Sequence, residues 1–81
     1  MNRRVLYIVP IIRLLDKAQG PLDTSTIARL TSMSWPTANK YLNLIKESNT
    51  LGLIKIEKSR AYWRMKKEPR LEDIEELLQT T

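Results

Sequence analysis

The stretch Thr31–Lys46, TSMSWPTANKYLNLIK, decides how the rest of the chain is read. Ala38, Leu42 and Ile45, flanked by Tyr41, recur at helical spacing and mark one buried side. The opposite side carries Thr37, Asn39, Lys40 and Asn43, with Lys46 at its end. Asparagine disfavours helix interiors because its amide competes for backbone groups. Two of them on one exposed face therefore ask for a compensating task. An asparagine amide donates and accepts at once, which matches a base edge, adenine above all. Pro36 falls in the first turn, where its missing N–H would have no partner anyway, so it sets the helix start rather than breaking it. Ser34 is expected to cap this helix.

Upstream, SMS is a turn, and DTSTIARLT before it predicts a short helix capped by Asp23 or Thr24, with Ile27, Ala28 and Leu30 buried. A first helix is expected over Arg4–Gln19. Val5, Ile8, Ile12 and Leu15 form its stripe, widened by Leu6, Val9, Ile11 and Leu14. Pro10 predicts a kink or a start inside it, and Gly20–Pro21 predicts its stop. Downstream, SNTLG ends the helix that Ser34 caps. LIKIE and AYWRM then read as two strands around a tight turn at Lys58, Ser59 and Arg60, with Arg64, Lys66 and Lys67 close by. A last helix is expected over Pro69–Leu78, with Leu71, Ile74, Leu77 and Leu78 as its apolar stripe. Trp63, Tyr62 and Tyr7 are expected to pack the hairpin on the first helix rather than to form a stacking platform for single strands.

The order is helix, helix, turn, helix, strand, turn, strand, helix: a mainly α chain with a small β-hairpin. Its 81 residues predict a single domain spanning 1–81, too small to bury more than about 60% of its unfolded surface. With no Cys and no His, disulfides, most zinc sites and Cys–His or Ser–His nucleophile pairs are excluded. Glu72, Asp73, Glu75 and Glu76 read as a solvated helix face, and no Gly-rich phosphate loop is present, so no enzyme, cofactor or metal is expected. The start MNRRVLYIVPIIRLLDK is interrupted by Arg13, Asp16 and Lys17 and lacks a small-residue cleavage site, so it is not expected to be a signal peptide. No apolar run of about 20 residues occurs, so no membrane partner is expected, and a reducing cytoplasm fits the absence of cysteine.

The net charge of +5 is unevenly placed. Residues 1–67 carry 13 Lys or Arg against four acids, whereas residues 68–81 carry Arg70 against five acids. A basic body with an acidic tail suits a polyanionic partner or, more blandly, solubility.

GPLDTSTIARLTSMSWPTANKYLNLIKESNTLGLIKI resembles the winged helix-turn-helix of small bacterial and archaeal transcriptional regulators, including those of archaeal viruses and plasmids. The match rests on Ala28 in the second helix, Ser32 and Met33 in the turn, and Ser34 heading the next helix. Tyr41, Leu42 and Ile45 follow within that helix, and Gly52-Leu53-Ile54 leads into the wing. One departure is Ser32, where the family usually has Gly, which suits a left-handed backbone better. The resemblance implies a helix-turn-helix over about 24–48, a wing over about 53–66 and an added C-terminal helix over about 69–78.

It further implies duplex DNA as the partner, with the helix capped by Ser34 in the major groove and Thr37, Asn39, Lys40 and Asn43 at base edges. Trp35 would meet the backbone or a thymine methyl, Ser34, Thr24, Ser25 and Arg29 would suit phosphates, and Lys46 would complete the DNA-facing side of the helix. Lys58, Ser59 and Arg60 would lie along the minor groove or its phosphates, although an edge hairpin also uses lysine to avoid aggregation. Leu6, Val9, Leu71, Ile74 and Leu78 are more apolar surface than so small a core needs, and predict a homodimer interface. A twofold dimer would set its reading helices about 34 Å apart. A replication or partition module, a winged helix used for protein interaction and an RNA binder stay open beside transcription.

Overall fold

A three-stranded antiparallel sheet, in the order β1-β3-β2, lies against a helical layer. The structure is a computed structural model that describes residues 3–48, 51–66 and 68–79. The expected helix stop at Asn49 and Thr50, and Lys67 beside the hairpin, lie outside these residues. The elements are α1 (Arg3–Lys17), β1 (Leu22–Asp23), α2 (Thr24–Leu30), α3 (Trp35–Ser48), β2 (Leu53–Glu57), β3 (Ala61–Met65) and α4 (Leu71–Gln79). This arrangement is compatible with a winged helix. The strands of the hairpin fall where the sequence puts them. The two-residue β1, which pairs Leu22 with Trp63 and Asp23 with Tyr62, was not expected.

α1 buries Ile8, Ile11, Ile12 and Leu15. Val5, expected in that stripe, is 38% exposed, and Ile11 takes its place in the core. The helix neither starts nor ends at Pro10 but continues through it. Proline has no N–H to give the Leu6 carbonyl, and Leu6 lies on the solvent side, where a carbonyl can turn to water. α3 packs on both α1 and α2 and buries Ala38, Tyr41, Leu42 and Ile45. Tyr41 stacks on Tyr7 of α1 with ring centroids 4.9 Å apart.

α2 departs from expectation on one side: Leu30 is 52% exposed, and the buried third residue beside Ile27 and Ala28 is Thr24. A seven-residue helix has room for barely two turns of core contact, and these fall at its head, where it meets β3. Trp63, fully buried, explains the choice of Thr24. Its indole N–H donates to the Thr24 hydroxyl at 2.9 Å. A buried N–H needs an acceptor, and the threonine at the head of α2 supplies it. The hairpin therefore packs on the helices through Trp63, whereas Tyr7, expected against the hairpin, stacks on Tyr41 of α3 instead. On its edge Lys55 sits with Nζ 5.2 Å from the centre of the Trp63 ring.

The turn after α2 closes by hydrogen bonds from Ser32 N–H to the Arg29 carbonyl and from Met33 N–H to the Ala28 carbonyl. This is a left-handed helix end, and Ser32 has φ 58°. A residue with a Cβ is strained there by roughly 1–2 kcal/mol. Ser32→Gly relieves that strain, partly offset by the extra freedom glycine has when unfolded. Urea denaturation should show a gain of about 0.5–1 kcal/mol without a change in slope.

α4 begins at Leu71 rather than Pro69, with the Arg70 carbonyl accepting from Asp73 and Ile74. Asp73 is not on a solvated face: it is buried, and Arg70 Nε donates to its carboxylate at 3.1 Å. Leu77 enters the core, and Ile74 and Leu78 pack against it half-buried. Those two expected interface residues are thus largely occupied within the chain, with α4 resting on α1. Leu6 and Leu71 remain exposed, at 56% and 71%, and Val9 is half-buried. Among the described residues no helix is long and apolar enough to cross a membrane.

Candidate nucleic-acid interface

The head of α3 is built by Ser34. Its hydroxyl accepts from the Thr37 N–H at 3.3 Å and donates to the Thr37 hydroxyl at 2.8 Å, while its carbonyl accepts the Ala38 N–H. Ser34 is therefore an N-cap, and both hydroxyls stay at the surface. Trp35, the first residue of the helix, is half exposed and has Pro36 beside it in the first turn. With Ala38 and Leu42 fixed in the core, helical spacing turns Lys40 and Lys46 outward, and both are exposed.

Asn39 and Asn43 are half-buried and joined. The Asn43 amide nitrogen donates to the Asn39 carbonyl at 2.9 Å and lies 3.3 Å from its side-chain oxygen. A carbonyl can only accept, so the Asn43 amide has its nitrogen toward the helix. The propensity cost of the two asparagines is thus offset in part within the helix itself, by bonds that span a single turn.

The hairpin tip is closed by the Lys58 N–H donating to the Arg60 carbonyl at 3.0 Å. Lys58 and Ser59 are exposed there. Arg60 is exposed too, but it is not a bare cation: its Nη1 lies 3.1 Å from Asp23 Oδ2. The other Asp23 oxygen accepts the Thr26 N–H at 3.3 Å and caps α2. Thr26 first, against the opposing effect of burial, and then Arg60 hold the Asp23 carboxyl below the ordinary aspartate range. Nothing in local sequence connects Arg60 with Asp23. The β1–β3 pairing brings them together.

Asp23, Thr24, Ser25, Trp35, Arg60 and Ala61 line a groove of about 330 Å³ between the heads of α2 and α3 and the hairpin. Thr24, expected at a phosphate, is instead a core residue, 4% exposed, with its hydroxyl taken by Trp63. Ser25 and Arg29 are exposed. The fold thus brings Ser25, Trp35 and Arg60 to one groove, and Asn39, Lys40, Asn43 and Lys46 to the outer side of α3. Asp23 is the charged member of the groove that sequence reasoning missed, and its only visible signal was its place as a cap. Among the described residues no group of acids gathers in the way a metal ion needs.

No protein-family model matches the chain, and no curated protein matches it. Among solved structures it is similar to human N-acetylserotonin methyltransferase, known from a crystal structure in complex with SAM. The TM-score is 0.63 at 22% identity, and the match covers 79% of this chain and 19% of that one. At that identity the likeness is one of fold. This chain corresponds to about a fifth of the enzyme's length.

Proposed function

We propose that the chain is a winged helix-turn-helix protein that binds double-stranded DNA as a dimer and regulates transcription. One observation carries the reading: α3 is anchored by an apolar side, while its other side offers two joined asparagines and the exposed Lys40 and Lys46. α3 is then the reading helix, the β2–β3 hairpin the wing, and Lys58 and Ser59 its contacts to the phosphates. Phosphate neutralisation supplies most of the affinity, and the asparagine face supplies the choice of sequence. Leu6 and Leu71, left exposed by the fold, are the residues of the expected interface that stay available to a second copy. The chain acts without a cofactor and as no enzyme by itself.

Fluorescence anisotropy of a labelled random duplex, titrated across a salt series, tests this directly. Binding that weakens steeply with salt is expected. Site selection should then return a pseudo-palindrome. Asn43→Ala should relax an adenine preference at one position in each half, losing about 1–3 kcal/mol of discrimination there. No binding at low salt would sink the reading.

A second reading rests on the fold likeness to one-fifth of an enzyme chain. A winged helix can serve as an interaction module within a larger assembly. In that case the face of Asn39, Lys40 and Asn43 tolerates alanine, and duplex affinity at physiological salt is weak.

A further inference from the structure

Asp23 caps α2 with one carboxylate oxygen and holds Arg60 with the other. Asn and Ser cap a helix about as well as Asp. Only Asp also brings a negative charge to the groove where the heads of α2 and α3 meet the hairpin. Its side chain is 12% exposed, whereas that of Arg60 is 66% exposed, so the arginine lies over the acid at the mouth of the groove. A phosphate arriving beside Ser25 and Trp35 meets a pair of zero net charge. An exposed ion pair is weak, worth about 0–1 kcal/mol. A well-fitted complex can therefore open it, while a loosely held duplex gains little by doing so.

We infer that Asp23 restrains sequence-independent DNA binding: it occupies Arg60 in the free protein and so removes one phosphate contact. This rests on the DNA-binding reading above. The residue that looked like a wing contact is held in reserve, and its partner is an acid 37 residues away. Asp23 acts through Arg60 and is a positioning residue, with no contact of its own to the nucleic acid.

The test is a mutant cycle on the full chain: native, Asp23→Asn, Arg60→Ala and the double variant, titrated against a random duplex over a salt series. Asn keeps the cap and loses the charge. Freed of its partner, Arg60 should add about 0.9 to the slope of log affinity against log salt, and tighten binding about fivefold at 0.15 M. Arg60→Ala should cost the native protein less than twofold, yet remove the whole gain in the Asp23→Asn background. Asp23→Ser, a second capping variant, should repeat Asp23→Asn. Circular dichroism melts establish that all variants are folded at the assay temperature.

Two results would overturn the inference while leaving DNA binding intact. One is an Arg60→Ala loss as large in the native background as in Asp23→Asn, which makes Arg60 a contact already free of the acid. The other is weaker binding by Asp23→Asn, which makes the acid a support for the contact rather than a restraint. Absence of binding by all the proteins at low salt takes down the DNA reading and this inference together.

Discussion

Trp63→Ala should lose about 3–5 kcal/mol of stability, the range for emptying a large aromatic from a core. An 81-residue domain holds roughly 4–12 kcal/mol in all, so the variant should sit near the edge of unfolding at room temperature. The size follows from position. Trp63 is fully buried, lies on the central strand of the sheet between β1 and β2, and meets the helices through Thr24. Urea denaturation followed by circular dichroism measures the loss. Thr24→Val separates packing from hydrogen bonding, because it keeps the shape and leaves the indole N–H unpaired. It should cost about 1–3 kcal/mol. A Trp63→Ala protein as stable as the native one would mean that the hairpin is not joined to the helices through this residue.

The second large effect concerns affinity. Replacing Lys40, Lys46 and Lys58 together with alanine should flatten the salt dependence of duplex binding by about 2.7 in log–log slope, at about 0.9 per phosphate contact. At 0.15 M salt this is a loss on the order of a hundredfold. Stability should hardly move, since all three side chains are exposed and surface changes of this kind stay within about 0.5 kcal/mol. Lys40 alone gives up a contact, its ammonium 5.5 Å from the centre of the Tyr41 ring. Anisotropy titrations of native and triple variant decide the matter. An unchanged slope would show that α3 and the hairpin tip do not face the phosphates, and would favour a protein partner for the same surface.

Much of the architecture was legible beforehand, and for a common reason. Ser34 as a cap, Pro36 in a first turn, the hairpin of LIKIE and AYWRM, and the buried Ala38, Leu42 and Ile45 all depend on residues within a turn or two of each other. Capping, helical periodicity and strand alternation are local, so the sequence displays them. The Asn39–Asn43 bond is as local, spanning four residues, yet the two asparagines were expected on an exposed face and are instead half-buried and joined. The departure at Ser32 from the glycine of the resembling family was likewise visible, and the chain does adopt a left-handed backbone there.

Charge and periodicity could not say which apolar residues would find a partner. Val5 and Leu30 continue their stripes yet end exposed, because a stripe wider than the surface it meets must leave part of itself outside. Thr24, read as a phosphate ligand, is drawn into the core by an indole 39 residues away. Arg60, read as a free wing cation, is paired with an acid 37 residues away. Both links follow from β1, two residues long and too short to leave a periodic signal, which docks on β3 and brings the head of α2 to the hairpin. By itself, then, the sequence determined the order of the helices and the two hairpin strands, the Ser34 cap and the charged faces of α3 and the hairpin, since these arise from near neighbours. Only the tertiary structure decided which polar groups are spent inside the fold, because a partner distant along the chain is chosen by strand pairing and packing.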